Sequence, residues 1–235
     1  MRAALAGVLA VAAVAIVLAV VLGGRGSHTP SVPAVGTLAN AIPHAAEVNR
    51  LFEGVPQRGM RLGKASAPVT IVEYVDLQCP YCAQVERQVL PVLVSRYVRP
   101  GKAKLVARPL AFVGPDSVRG RDAIIAAARQ DRAFNLAELL YLNQGTENTG
   151  WLGEDMVASA SASIPGLRVH ELLEARSSPA VATMAARFDS LANSDHVKAT
   201  PTFIVGSSFG GSRTTLVAPS EASLVHAIDG LLGRG

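Results

Sequence analysis

The spacing of hydrophobic positions changes several times along the chain, and each change marks an element. Ala3 to Leu22 holds nothing but Ala, Val, Leu, Ile and one Gly, bounded by Arg2 and by Gly23-Gly24-Arg25. About 20 apolar residues cross a bilayer core as a helix, more than the roughly 7–15 of a cleavable signal. Residues 1–24 are therefore predicted to be a transmembrane signal anchor, the alternative being a long cleaved signal peptide. Residues 25–60 keep no steady period and are rich in Pro, Ser, Ala and Gly. They predict a tether carrying one short helix at Ala45–Phe52, ahead of a domain over residues 61–235.

Within that domain Val69–Val75 is the first strong signal. One alternating set is Val69, Ile71, Glu73 and Val75, and the other is Thr70, Val72 and Tyr74. Both are mainly apolar, which predicts a central strand covered on two faces. Cys82, Val85, Val89 and Val92 then recur at helical spacing, so a helix is predicted from Cys79-Pro80-Tyr81-Cys82 onward, kinked or divided by Pro91. Ala103–Arg108 reads as a second strand, completing a strand–helix–strand unit. Helical patterns follow at Asp122–Arg132, Phe134–Leu142, Glu154–Ala162, Val169–Ala175 and Pro179–Ala192, punctuated by Gly and Pro. Thr202–Gly206 and Thr214–Val217 predict a hairpin around Gly210-Gly211, and Ser220 caps a last helix to about Leu232. The order defines an α/β domain with an all-helical insertion at about 115–195.

Composition narrows the chemistry. The net charge of +4 is spread along the chain with no basic cluster interleaved with aromatics, which argues against nucleic-acid binding. The two cysteines of the chain are Cys79 and Cys82, too few for a disulfide scaffold. A C-x-x-C pair at a strand-to-helix junction is a redox motif. The alternatives are a closed structural disulfide and half of a zinc site. Tetrahedral zinc needs four ligands, and no second C-x-x-C or nearby His supplies them. Ala83 after the pair excludes haem attachment, so no metal or cofactor is implied. His28, His44, His170, His196 and His226 are scattered, His196 alone lying near Thr200. Trp151 and Tyr141 are expected to pack. A lone dithiol belongs where disulfides persist, which places the domain outside the cytosol.

The stretch Ala67-Pro-Val-Thr-Ile-Val-Glu-Tyr-Val-Asp-Leu-Gln-Cys-Pro-Tyr-Cys82, with Ala199-Thr-Pro-Thr-Phe-Ile-Val-Gly206 far downstream, resembles the DsbA-like thiol-disulfide oxidoreductases of the thioredoxin superfamily. The likeness runs from about Gly63 to the C-terminus and implies a thioredoxin-like fold with a helical insertion. One departure is Ala199, where such proteins often carry glycine. Cys79, at a helix N-terminus that favours a thiolate, is expected to be the nucleophile and Cys82 the resolving thiol. The resemblance implies that Thr200-Pro201 is a cis pair whose Thr200 backbone meets substrate opposite the cysteines. Pro80 and Tyr81 are expected to contact substrate too. Glu73, on an apolar strand face and matching an acid in the family, is expected to take the Cys82 proton through water. An alternative for Glu73 is a strand carboxylate that reaches solvent or pairs with an Arg. The function so implied is oxidation of cysteine pairs in exported proteins, with re-oxidation by a quinone-linked membrane partner. A reductase or isomerase in the same compartment is the alternative, as is a tethered chaperone or binding module with a structural disulfide.

Overall fold

The computed structural model describes residues 32–233. The predicted anchor and the first residues of the predicted tether lie outside the described residues. Among those described, no helix is long and apolar enough to cross a membrane.

The domain is built on a six-stranded sheet. Its strands are β1 (Gln57–Arg58), β2 (Arg61–Leu62), β3 (Val69–Val75), β4 (Ala103–Pro109), β5 (Thr202–Ser207) and β6 (Arg213–Val217), in the order β1-β2-β4-β3-β5-β6. Strand β3 is central, parallel to β4 and antiparallel to β5, with Ile71 opposite both Leu105 and Val205. Val69, Ile71, Glu73 and Val75 are buried along one face of β3, and Tyr74 is buried on the other. A strand covered on both sides has little need for polar residues, hence its near-continuous apolar run.

The chain leaves β3 through Asp76-Leu77-Gln78 into α2 (Pro80–Gln88); α1 (Ala45–Phe52) precedes the sheet. Proline fits the first turn of α2, where no intrahelical bond needs its N–H. Pro91 does divide the helix that follows. α2 stops at Gln88, a short turn α3 (Leu90–Leu93) begins, and a π-helical turn over Val94–Val98 closes with Arg99 N donating to Val94 O at 2.8 Å. Val92 is only half-buried, and Leu93 and Val94 take the core positions instead.

The insertion comprises α4 (Pro115–Ala128), α5 (Ala133–Leu142), α6 (Glu154–Ala162), α7 (Val169–Ala175) and α8 (Pro179–Ser194); α9 (Glu221–Leu232) ends the domain. α4 starts seven residues before the Asp122 read from the sequence. Its first turns, Asp116 to Asp122, carry few large apolar residues, and close contact there is made through Gly120 with Leu77 and Leu152. A Cβ at Gly120 would lie 2.6 Å from Leu77 Cδ1 and 2.9 Å from Leu152 Cδ1. A glycine thus brings α4 against the turn that leads to the cysteines.

The segment expected to be a tether is a correction. From residue 32 on it packs against the domain. Val48 and Phe52 of α1 are buried, and Phe52 meets Phe134 edge-on at 6.3 Å. Gly36 N donates to Leu167 O at 2.8 Å, and β1–β2 lengthens the sheet beside β4. The partners Phe134 and Leu167 lie far off in sequence, so no local period announced the packing.

Candidate active site

Both cysteines are free thiols at the mouth of α2. Cys79 is the N-cap residue, with extended backbone (φ −70°, ψ 118°), and is 6% exposed. Its N–H donates to Asp76 O at 3.0 Å, and its Sγ donates to Thr200 O at 3.3 Å. A hydrogen bond from the Cys82 thiol, together with Thr200 and the backbone N–H groups of Cys82 and Tyr81, lowers the Cys79 pKa to about 6 against the opposing effect of burial. Donors at the first helical turn stabilise an anion there, which favours ionisation of Cys79 relative to an ordinary thiol.

Cys82, one turn inside, is fully buried. Desolvation first, then its hydrogen bond to Cys79, drives its pKa well above the ordinary thiol value. The Asp76 N–H donates to its Sγ at 3.5 Å. The two sulfurs thus sit in unequal surroundings, Cys79 with its pKa lowered and Cys82 with its pKa raised. This asymmetry suits a mixed disulfide formed at Cys79 and then closed by Cys82.

Thr200 and Pro201 face the pair from the loop that enters β5. Their peptide bond is cis, Thr200 is half-buried and Pro201 buried. The chain enters this loop from Asp195, which is held by a polar cluster at the end of α8. Tyr74 Oη donates to Asp195 Oδ2 at 2.7 Å, and Arg108 Nη1 reaches the same oxygen at 3.0 Å while its guanidinium stacks 5.2 Å from the Tyr74 ring. Pro80 is exposed on α2. Tyr81 is 64% exposed and borders a groove of about 430 Å³ that continues over Val85, Val89 and Pro219. His196 is exposed at the loop's start.

Glu73 does not reach solvent. It is 3% exposed, and burial, aided by the charge of Glu138, raises its pKa to about 8. Its Oε2 has no hydrogen-bond partner. Neither alternative read from the sequence, a solvent-reaching carboxylate or an Arg pair, is what the structure places there.

The structure adds residues that the sequence did not single out. Asp76 is fully buried and accepts four hydrogen bonds: from Gln78 N and Ser117 Oγ at Oδ1, and from Phe112 N and Val113 N at Oδ2. Gln78 bonds Ser117 Oγ and Asn148, and Gln144 Nε2 donates to the carbonyls of Leu77 and Cys79. The insertion therefore grips the turn that leads into Cys79. Asp76 and Gln78 stand in the motif itself, which was the available signal; Gln144 and Asn148 carried none. Among the described residues, no group of three or more His, Cys, Asp or Glu side chains is arranged to hold a metal ion.

A cysteine pair at the N-terminus of the helix after a central strand, facing a cis-proline loop, defines a thioredoxin-class dithiol site. The family model described as thioredoxin matches residues 56–216, and the chain belongs to that family. Among curated relatives, a Bacillus cereus protein named "Probable disulfide bond formation protein D" is 33% identical over 129 residues, covering 53% of this chain and 59% of that protein. The chain thus spans about half the length of the first curated relatives it matches. The crystal structure of oxidised BdbD from Bacillus subtilis superimposes with a TM-score of 0.67 at 20% identity, covering 76% of this chain and 97% of that one. Alpha-DsbA1 of Wolbachia pipientis gives 0.64 at 19% identity, covering 78% and 96%. These likenesses show a thioredoxin-like fold with a helical insertion.

Proposed function

We propose that this protein is a DsbA-like thiol-disulfide oxidoreductase that acts outside the cytosol, held to the membrane by residues 1–24. The observation that carries the reading is the setting of the pair: Cys79 Sγ at the N-cap of α2 lies 3.3 Å from the Thr200 carbonyl of the cis-proline loop, with Cys82 fully buried one turn inside.

In the oxidising direction, a substrate thiolate attacks Cys79 Sγ of the Cys79–Cys82 disulfide. A substrate–Cys79 bond forms, the Cys79–Cys82 bond breaks, and Cys82 leaves as a thiolate that takes up a proton. A second substrate thiolate then attacks the substrate sulfur, closing the substrate disulfide and releasing the Cys79 thiolate. Two electrons and two thiol protons have left the substrate, and an oxidising partner must remove the electrons from the enzyme. The groove beside Tyr81 would seat the extended chain of an exported protein, Pro80 would border it, and the Thr200 backbone would pair with it. The partner that restores the disulfide is proposed to be a quinone-linked membrane protein, consistent with the apolar N-terminal run.

A second reading, reduction or isomerisation in the same compartment, is favoured by the size of the thiolate effect. Lowering the Cys79 pKa from 9.0 to about 6 stabilises the reduced form at pH 7 by about 1.4 kcal/mol, or roughly 30 mV for two electrons. Roughly 150 mV separates a reducing thioredoxin from an oxidising DsbA. Thiolate stabilisation therefore supplies about a fifth of the difference. Equilibrating the Cys79–Cys82 pair with glutathione tests direction: a potential near about −120 mV supports the oxidase, and one near about −270 mV sinks it. Survival of disulfide formation in exported proteins of cells carrying only Cys79→Ser would overturn the enzyme reading itself, in favour of a tethered binding module.

A further inference from the structure

The peptide between Cys79 and Pro80 has one polar group. Proline carries no N–H, so hydrogen bonds hold the direction of that peptide through the Cys79 carbonyl alone. Two donors converge on it: Ala83 N at 3.1 Å, the first bond of α2, and the side-chain Nε2 of Gln144 at 3.2 Å. The same Nε2 donates to Leu77 O at 2.8 Å, two residues before Cys79. Gln144 thus clamps the chain on both sides of Gln78.

Gln78 is itself buried, and its side chain is committed to the insertion as well. Its Oε1 accepts from Asn148 N at 2.6 Å, and its Nε2 donates to Asn148 Oδ1 and to Ser117 Oγ, each at 3.0 Å. Asn148 has φ +54°, a left-handed conformation that asparagine tolerates better than most side chains. A Cβ at Gly114 would collide with its Oδ1, so a glycine makes room for this contact. Gln144 and Asn148 both belong to the connection between α5 and α6, whose residues 145–150 are exposed. A surface connection thus directs its inward polar groups onto Leu77, Gln78 and Cys79.

We propose that Gln144 is a positioning residue for Cys79, assisted by Asn148 through Gln78. The α5–α6 connection fixes the Cys79 carbonyl and thereby holds Sγ against the Thr200 loop and the first turn of α2. The proposal rests on the oxidoreductase reading. Sγ lies 3.3 Å from Thr200 O and is stabilised by the N–H groups of Tyr81 and Cys82, so a turn of the Cys79 backbone moves it relative to all three. When a substrate thiolate attacks, its bond to Cys79 Sγ forms as the Cys79–Cys82 bond breaks and Cys82 leaves as a thiolate. That exchange needs the three sulfurs close to one line, and a misplacement of about 1 Å can cost on the order of 100-fold in rate. Gln144 acts through the Cys79 backbone.

The test uses full-length protein in two assays. The oxidised enzyme is mixed with a reduced peptide carrying two cysteines, quenched with acid at intervals, and the loss of the Cys79–Cys82 disulfide is followed by mass spectrometry. The pH midpoint of iodoacetamide alkylation at Cys79 is then measured on the reduced enzyme. Gln144→Met keeps the length of the side chain and removes its donor. It is expected to slow exchange about tenfold or more and to raise the Cys79 midpoint by roughly 0.5–1 unit. Thr149→Val removes the bond from Thr149 Oγ1 to Thr146 O, 2.8 Å long and inside the same connection, and is expected to leave rate and midpoint at their wild-type values. Wild-type rate and midpoint in Gln144→Met overturn the proposal. An equal loss in Thr149→Val overturns it too, assigning the effect to the stability of the connection itself. Should Gln144→Met not fold, Asn148→Gly, whose backbone accepts the left-handed conformation, decides on the same two readings. Failure of the oxidised wild-type enzyme to react with the dithiol peptide overturns the oxidoreductase reading instead.

Discussion

Replacing Cys82 with Ala isolates the largest contribution to the Cys79 thiolate. A hydrogen bond from the Cys82 thiol is the leading cause of the lowered Cys79 pKa of about 6, ahead of Thr200 and the backbone N–H groups. A hydrogen bond to a charged group contributes about 1.5–3 kcal/mol. At 1.36 kcal/mol per pH unit, its loss should raise the midpoint by roughly 1–2 units. Cys79 is the sole thiol left in Cys82→Ala, so the rate of alkylation by iodoacetamide against pH reads it alone. The expected midpoint is about 7–8, and Cys82→Ser, which restores a donor, should bring it back toward 6. The Thr200 contact and the α2 N-terminus survive in both variants, which makes the comparison one of a single donor. A Cys82→Ala midpoint still near 6 would refute the reasoning and assign the thiolate to the helix N-terminus.

Two further outcomes bear on stability. Glu73 holds its proton to about pH 8 in the folded state, against 4.5 for the free carboxyl, so the native state binds more protons than the unfolded chain between those values. Its contribution is present below pH 4.5 and is lost as pH rises through 8. Glu73→Gln should remove that loss, gaining on the wild type by on the order of a few kcal/mol between pH 5 and 8; urea unfolding followed by Trp151 fluorescence checks it, and parallel pH dependence would count against burial as the cause. Asp76→Ala strands the donors Gln78 N, Phe112 N, Val113 N and Ser117 Oγ. The expected cost is about 3 kcal/mol or more, read as a fall in melting temperature of roughly 6–12 °C, and an unchanged melting temperature would show that water replaces the carboxylate.

Legibility in the sequence followed the range of the interaction that shapes each element. Val69–Val75 and Glu154–Ala162 were readable to the residue, because burial on fixed faces imposes period 2 or 3.6 on the residues themselves. Pro91 announced its break because a missing N–H acts locally. The start of α4 was hidden because its contact is a glycine against Leu77, where close approach leaves no hydrophobic mark. The two-residue strands β1 and β2 are too short to show a period at all.

By itself the sequence determined the chemistry: one C-x-x-C pair placed at a strand-to-helix junction, a distant Thr-Pro, and a glutamate on an apolar strand face. Helix geometry and side-chain period are properties of neighbouring residues, so one dimension suffices for them. Only the tertiary structure decided which thiol is acidic, since that depends on Cys82 donating to Cys79 and on the Thr200 loop closing over both. It alone brought Gln78 to Asn148 and gathered Glu73, Glu86, Glu138 and Tyr141 around one void. Contacts such as Gln78 to Asn148 and Cys79 to Thr200 join residues 70 and 121 apart in the chain, and no spacing along the sequence encodes them.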